Sequence, residues 1–186
     1  MSSGAPSEPM ITAGSITLRR WRDDDLDALA ALNADPRVAA WLGGAIDREA
    51  SARSLRWFEE SFDRGDPSLW CVVNTEDGEF LGCVGLALLG DDLPLAGRFE
   101  LVWRLRPEHW GRGVATAAAS AALDHSHDAI DRRELVAFTS ASNLASRRVM
   151  ERLGMTWRSA EDFDHPRLTA TDPLRPHVVY RFVDPA

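Results

Sequence analysis

The 186-residue chain contains no lysine, one tyrosine (Tyr180) and two cysteines (Cys71 and Cys83). Each shortage removes a class of chemistry. A nucleotide-binding P-loop requires Gly-Lys-Ser/Thr, so the missing lysine excludes it and leaves no target for lysine self-modification. One cysteine pair gives little ground for a disulfide framework. No apolar run approaches the ~20 residues that cross a bilayer. The Ser/Pro-rich opening, Met1 to Met10, lacks the basic and then apolar sections of a secretory signal; it reads as part of a flexible tail over residues 1–14. The cytoplasm is the expected compartment. Positive charge is scarce as well: 21 arginines face 29 acidic residues, for a net charge of −8. That balance argues against nucleic-acid binding, which needs clustered cations, and favours a cationic substrate through electrostatic steering. An anionic ligand would have to rely on local arginines and backbone amides. What remains is an ordinary globular composition, 45% hydrophobic and 27% charged, sufficient for a single domain over residues 15–186 with a substantial core.

The most informative stretch runs from Phe99 to Thr116. Phe99, Leu101, Trp103 and Leu105 alternate as one face of a strand, which Pro107 should end. Gly111 and Gly113 permit a tight turn in which backbone amides crowd round one object. Ala115 to Leu123 is rich in alanine and predicts a helix. Strand, glycine turn and helix N-terminus together make an anion site, because free amides and the positive end of the helix dipole face the ligand. Arg112 adds charge. A dinucleotide fingerprint would need glycine or alanine where Thr116 stands and usually opens a parallel βαβ unit, whereas this turn follows an antiparallel hairpin.

Trp110-Gly111-Arg112-Gly113-Val114-Ala115 resembles the pyrophosphate loop of the GNAT superfamily of N-acetyltransferases, usually Gln/Arg-x-x-Gly-x-Gly/Ala. Gly113 and Ala115 match. Trp110 stands in place of Gln/Arg, as in the branch that resembles the RimJ/RimL ribosomal-protein N-terminal acetyltransferases. Three other segments resemble that branch: Leu18-Arg19-x-Trp21-x-x-x-Asp25-Leu26, then Asn33-x-Asp35-Pro36-x-Val38, then Asn143-x-x-Ser146 followed by Gly154-Met155. The resemblance extends over most of Ile16 to Phe182.

Periodicity and turn signals supply the element order. Ile16 to Trp21 reads as a strand, with helices following Asp23-Asp24-Asp25, Asp35-Pro36 and Asp47, where carboxylates and proline suit helix starts. Trp41 and Trp57 are expected in the core. Leu69 to Val73 and Phe80 to Leu89 form a hairpin about Thr75-Glu76-Asp77-Gly78, with Cys71 and Cys83 as packed cross-strand thiols. Gly82 and Gly85 signal a bulge or a close approach. Beyond the alanine helix come a strand from Glu134 to Thr139 and a helix from Asn143 to Leu153. The final strands are Met155 to Arg158 and His177 to Val183, flanking a long loop from Ser159 to Pro176. This order predicts an α+β fold: a mixed, mostly antiparallel sheet of about seven strands with helices on both faces. The resemblance implies the GNAT fold, in which the fourth and fifth strands splay apart around acetyl-coenzyme A.

The resemblance also implies acyl transfer from a thioester to an amine. An amine nucleophile must be neutral, yet an α-amino group has a pKa of about 7.7–8. The site therefore needs a proton acceptor, a polariser for the thioester carbonyl and a donor for the departing thiolate. Glu100 matches an acidic position used as base in several branches; Asp162, Asp164 and His165, in the loop bordering the acceptor, are its rivals. Ser146 matches the thiolate donor, while Tyr180 lies too late in the chain for that task. The main chain of Trp103 to Leu105 would polarise the carbonyl if that strand bulges, and would bind pantetheine. Trp110, Gly111, Arg112, Gly113, Val114, Ala115 and Thr116 would hold the pyrophosphate, and Asn143 would bond pantetheine or cap its helix. Asp124-His125-Ser126-His127-Asp128 has a metal-like composition, but residues two apart on a helix do not face each other, so it reads as a solvated helix end and no metal is expected. The expected function is transfer of acetyl from acetyl-coenzyme A to a primary amine, either a protein N-terminus or a small molecule. The alternative is a non-catalytic acyl-coenzyme A-binding module. Neither nucleic acid nor membrane is an expected partner, and a homodimer is compatible with the sequence.

Overall fold

The computed structural model describes residues 10–126, 130–131 and 135–182. His127, Asp128 and Glu134 lie outside the described residues. The strands are β1 (Met10–Ala13), β2 (Ile16–Arg19), β3 (Leu69–Asn74), β4 (Phe80–Leu88), β5 (Phe99–Leu105), β6 (Leu135–Ser140), β7 (Thr156–Trp157), β8 (Phe163–Asp164) and β9 (Pro176–Arg181). They form one sheet in the order β1-β2-β3-β4-β5-β6-β9-β7, with β8 also paired to β9. Every pairing is antiparallel except β5 with β6. The helices are α1 (Leu26–Ala34), α2 (Pro36–Ala39), α3 (Arg48–Asp63), α4 (Val114–His125) and α5 (Leu144–Arg152).

Two strands exceed the sequence expectation of seven. Met10–Ala13, expected in a loose tail, pairs along its whole length with β2. β8 sits inside the expected loop from Ser159 to Pro176 and pairs for only two residues. Such short edge segments carry too little periodicity to be seen in a sequence. The strand counted fourth from the sequence is therefore β5.

Local chemistry explains most starts and stops. Asp35 accepts from Arg37 N at 2.8 Å ahead of Pro36, and Asp47 accepts from Ala50 N at 2.7 Å to cap α3. The three aspartates at 23–25 form a 3-10 turn instead, and Asp25 turns inward to a two-pronged pair with Arg19, both contacts 2.7 Å. Cys71 and Cys83 stand opposite each other on β3 and β4, buried and as free thiols. The two glycines of β4 mark close approaches: a Cβ on Gly82 would fall 2.2 Å from the carbonyl oxygen of Arg104, and one on Gly85 2.1 Å from that of Ser68.

Both faces of the sheet are covered. On one, Ala118, Ala119 and Ala122 of α4 and Met150 of α5 pack against Leu18, Val72, Val84, Leu86, Leu101 and Leu105. The small alanines let α4 lie close to the strands, so a sequence chosen for helix propensity also sets the layer spacing. On the other, Leu29, Leu55 and Phe58 from α1 and α3 meet Trp21, Leu69, Cys71 and Cys83. Each such side chain contributes about 1.5–3 kcal/mol when fully buried. Trp41 and Trp57, expected in this core, are each 40% exposed. Trp41 lies just past the end of α2 and has no sheet to pack on, and Trp57 points outward from the exposed side of α3.

Candidate active site

β5 pairs with β4 without a break from Phe99 to Leu105, but with β6 only at Phe99 and Glu100. Beyond Glu100 the two strands part. Alternate main-chain N–H and C=O groups of residues 101–105 consequently face a gap instead of a partner strand. The sequence expectation tied an exposed amide to a bulge in this strand. The register shows no bulge, and divergence of the parallel pair frees the amides instead.

The gap opens into a cleft of about 690 Å³. Its walls include residues 100–105 of β5, the turn after them, the first turn of α4, Asn143 and Ser146 of α5, and the loops around Trp41 and His165. Leu101, Trp103 and Leu105 turn towards α4 and α5, while Glu100, Val102 and Arg104 turn towards α1 and α2. A ligand threading the gap meets both sets.

At one end lies the glycine turn. Gly111 and Gly113 have φ of +72° and +82°, left-handed values that L side chains avoid, and a Cβ at either would meet only open space. Gly113 is the N-cap of α4, so the first amides of that helix lack intrahelical partners. Thr116, on the same turn, has a buried Oγ1 with no hydrogen-bond partner. Trp110 ties the turn to β5 by donating Nε1–H to Leu105 O at 2.8 Å. Val114, Ala115 and Thr116 line the cleft, whereas Arg112 is exposed and stands outside its wall. The same cleft is also lined by Arg148 and Arg152 of α5, four residues apart and so on one helix face, a spacing visible in the sequence. An orphaned hydroxyl, free amides, space at two glycines and two guanidiniums suit a pyrophosphate.

In the middle, Asn143 caps α5 by accepting from Ser146 N at 3.1 Å. This bond holds Ser146 at the wall. Ser146 Oγ accepts from Trp103 Nε1 at 3.3 Å, leaving its own O–H to be donated elsewhere. Glu100 sits where β5 leaves β6, half-buried. Burial pushes its carboxyl up from an ordinary 4.5 to about 8, while the guanidiniums of Arg104 and Arg167 hold it back. Tyr180 is remote in function: it is buried in β9, where its hydroxyl accepts from Arg147 Nε at 3.1 Å and donates to Glu151 at 3.1 Å.

The rivals of Glu100 separate cleanly. Asp162 is outside the cleft wall, and its carboxylate accepts from Trp157 Nε1 and from Val179 N at 3.0 Å. Asp164 is exposed and pairs with Arg175 at 3.2 Å. Only His165 reaches the cleft, joined by His177, which the sequence reading overlooked because it was counted as a strand residue. Their rings lie 4.8 Å apart beside Phe163. Burial, together with the neighbouring His177 and Arg167 in the case of His165, lowers the pKa of both imidazoles, so they are neutral near pH 7. Arg104, Arg167 and Trp41 also line this end without having been singled out from sequence.

A sheet opened at one parallel pair, with a glycine turn at a helix N-terminus and Glu100 and Ser146 on the same cleft wall, suits a thioester held in the gap. Residues 15–156 match the acetyltransferase (GNAT) domain, and the chain belongs to that family. It is an acetyl-coenzyme A-dependent acyltransferase. The chain is 30% identical over 141 residues to the uncharacterized protein YkkB of Bacillus subtilis, covering 75% of this chain and 81% of that one. An acetyltransferase from Agrobacterium tumefaciens superposes with a TM-score of 0.74 at 27% identity, covering 98% and 99% of the two chains. RimL, a ribosomal L7/L12 alpha-N-protein acetyltransferase solved with coenzyme A, shares the fold with a TM-score of 0.72 at 17% identity, covering 95% and 99%. Among the described residues no helix is long and apolar enough to cross a membrane, and no group of three or more acidic, histidine or cysteine side chains is placed to hold a metal.

Proposed function

We propose that the protein transfers acetyl from acetyl-coenzyme A to a primary amine, with Glu100 accepting the amine proton and Ser146 donating to the departing sulfur. The observation that carries this reading is the position of Glu100: a carboxyl raised to about 8, at the point where the cleft passes between the strands. A base of that strength matches an α-amino group of pKa about 7.7–8 closely enough to exchange its proton.

Acetyl-coenzyme A supplies the thioester when bound, and the remaining work falls to this chain. The turn at 110–116 holds the phosphates, and unpaired amides of β5 face the position of the acyl carbonyl. Glu100 takes the proton released as nitrogen bonds to carbon, and Ser146 O–H, steadied by Trp103, returns a proton to sulfur. The L7/L12 α-amino group acted on by the structural relative RimL supports an amine as acceptor. Release of free thiol over a panel of amines tests the reading against a binding module without turnover. Thiol release by the wild type, reduced at least a hundredfold in Glu100→Gln, is expected; tight cofactor binding by calorimetry without any thiol release would refute it.

A further inference from the structure

The acceptor end of the cleft is more cationic than an amine-binding site needs to be. The protein carries a net charge of −8, yet Glu100 shares the wall with Arg104 and Arg167, while the imidazoles of His165 and His177 on the same wall are neutral. A polyamine or aminoglycoside, the kind of substrate the overall charge would steer inward, would meet the guanidinium of Arg104 there.

Arg104 is held with care. It lies four residues beyond Glu100 on the same face of β5, half-buried, and donates through Nη1 to Asn33 Oδ1. Asn33 is 1% exposed, and its Nδ2 donates to Ser51 Oγ at 2.8 Å; Ser51, fully buried, donates in turn to Asp47 O at 2.8 Å. Asn33 and Ser51 are neutral, so a chain of buried polar groups aims a guanidinium into the cleft without neutralising it. A half-buried cation held this way stays costly until an anion arrives. Its planar fork suits a carboxylate. Arg167, on the opposite loop, is already matched by Asp92 at 2.5 Å, which leaves Arg104 as the guanidinium held only by neutral groups.

A Cβ on Gly43 would lie 2.8 Å from Leu168 Cδ2, so the loops after α2 and after β8 approach each other closely, and both contribute to the cleft wall. Trp41, Leu42, Leu174 and Phe138 supply apolar wall to the same cleft.

From these contacts we infer that the acceptor is a small amine that also carries a carboxylate, an amino acid with an apolar side chain, its carboxylate held by Arg104 and its amine beside Glu100. This rests on the amine-acetylating reading above. The test compares L-leucine, L-methionine and L-phenylalanine, each against the amine that lacks only the carboxyl group, by thiol release with saturating acetyl-coenzyme A. A short peptide beginning with aspartate presents a carboxylate from another source. The wild type should favour each amino acid in kcat/KM by about tenfold to a hundredfold, the range of a charge-assisted two-pronged bond, and should favour it over the peptide. Arg104→Met should bring the ratio within each pair close to one, and Arg104→Lys should leave it between. Because the readout is a ratio within one enzyme, a general loss of rate or of folded protein divides out. Turnover of the amines without a carboxylate preference, a ratio unchanged in Arg104→Met, or a faster peptide would overturn this inference alone. Failure of every amine to release thiol would overturn the amine-transfer reading and this inference with it.

Discussion

Glu100 sets function against stability, and replacing it with glutamine separates the two. Its carboxyl titrates near 8 in the folded protein against an ordinary 4.5, chiefly because folding removes water from it. The folded state therefore binds the proton more tightly than the unfolded state does. Between pH 4.5 and about 8 the unfolded chain releases that proton first, so stability falls as pH rises through this window and levels off above it. The full interval corresponds to about 5 kcal/mol; water admitted by the open cleft reduces it, and about 2 kcal/mol is a reasonable expectation. Glu100→Gln removes the ionisation. At pH 5 the variant should melt with the wild type, and at pH 9 it should melt higher by about 4–8 °C, since 1 kcal/mol moves a domain of this size by about 2–4 °C. The rate should move the opposite way. With a base near 8, wild-type kcat/KM should climb about tenfold from pH 6 to pH 7 as the carboxylate fraction grows. The variant should be slower by about 10²–10⁴-fold at pH 7, with the gap narrowing as pH passes the acceptor's own pKa. Scanning calorimetry at the two pH values and a pH–rate profile make the measurement. An equal melting difference at pH 5 and pH 9, or a wild-type profile kept by the variant, would refute the placement of Glu100 as a desolvated base.

Gly113→Val should force a β-branched residue to φ +82° and fill the space at the turn, lowering acetyl-coenzyme A affinity tenfold or more, about 1.4 kcal/mol; unchanged affinity in a folded variant would move the phosphate site. Ser146→Ala should lower kcat while leaving cofactor affinity by calorimetry nearly intact, because the cap made by its backbone N–H to Asn143 survives; an unaltered kcat would end the donor role. Asp162→Ala leaves Trp157 Nε1 and Val179 N without their acceptor and should cost about 1–3 kcal/mol in denaturant unfolding, with kcat per folded molecule retained; a selective loss of kcat would restore Asp162 as a candidate base.

Local signals carried much of the fold. Proline and aspartate at helix starts, Asp77-Gly78 in the hairpin, alternation along Phe99 to Leu105 and the alanine run after Gly113 act over a few residues, and their effects reappear at those positions. The glycine turn and the Asn143–Ser146 cap were legible for the same reason: the chemistry and the residues that perform it are neighbours in the chain. β1 and β8 were not, because two to four residues acquire strand geometry only from the partner they pair with.

The rest was decided by contacts between distant residues. The family resemblance implied that these two strands splay, but no local signal near Glu100 says that β6 pairs with β5 at two positions and then departs, and that divergence opens the cleft and desolvates the carboxyl. Asp162, Asp164 and His165 are equivalent on paper, three titratable groups within four residues. They part because β8 and β9 draw the first onto Trp157 and Val179, leave the second in solvent with Arg175, and turn only the third inward. Arg104 is one of 21 arginines until Asn33, 71 residues away, fixes it on the wall of the cleft that Glu100 also lines. Sequence alone determined most of the elements and the glycine turn, since short-range sterics and capping act along the chain, and the family resemblance implied the class of reaction. The charge and shape of the acceptor site, set by burial and by pairs far apart in sequence, belong to the tertiary structure.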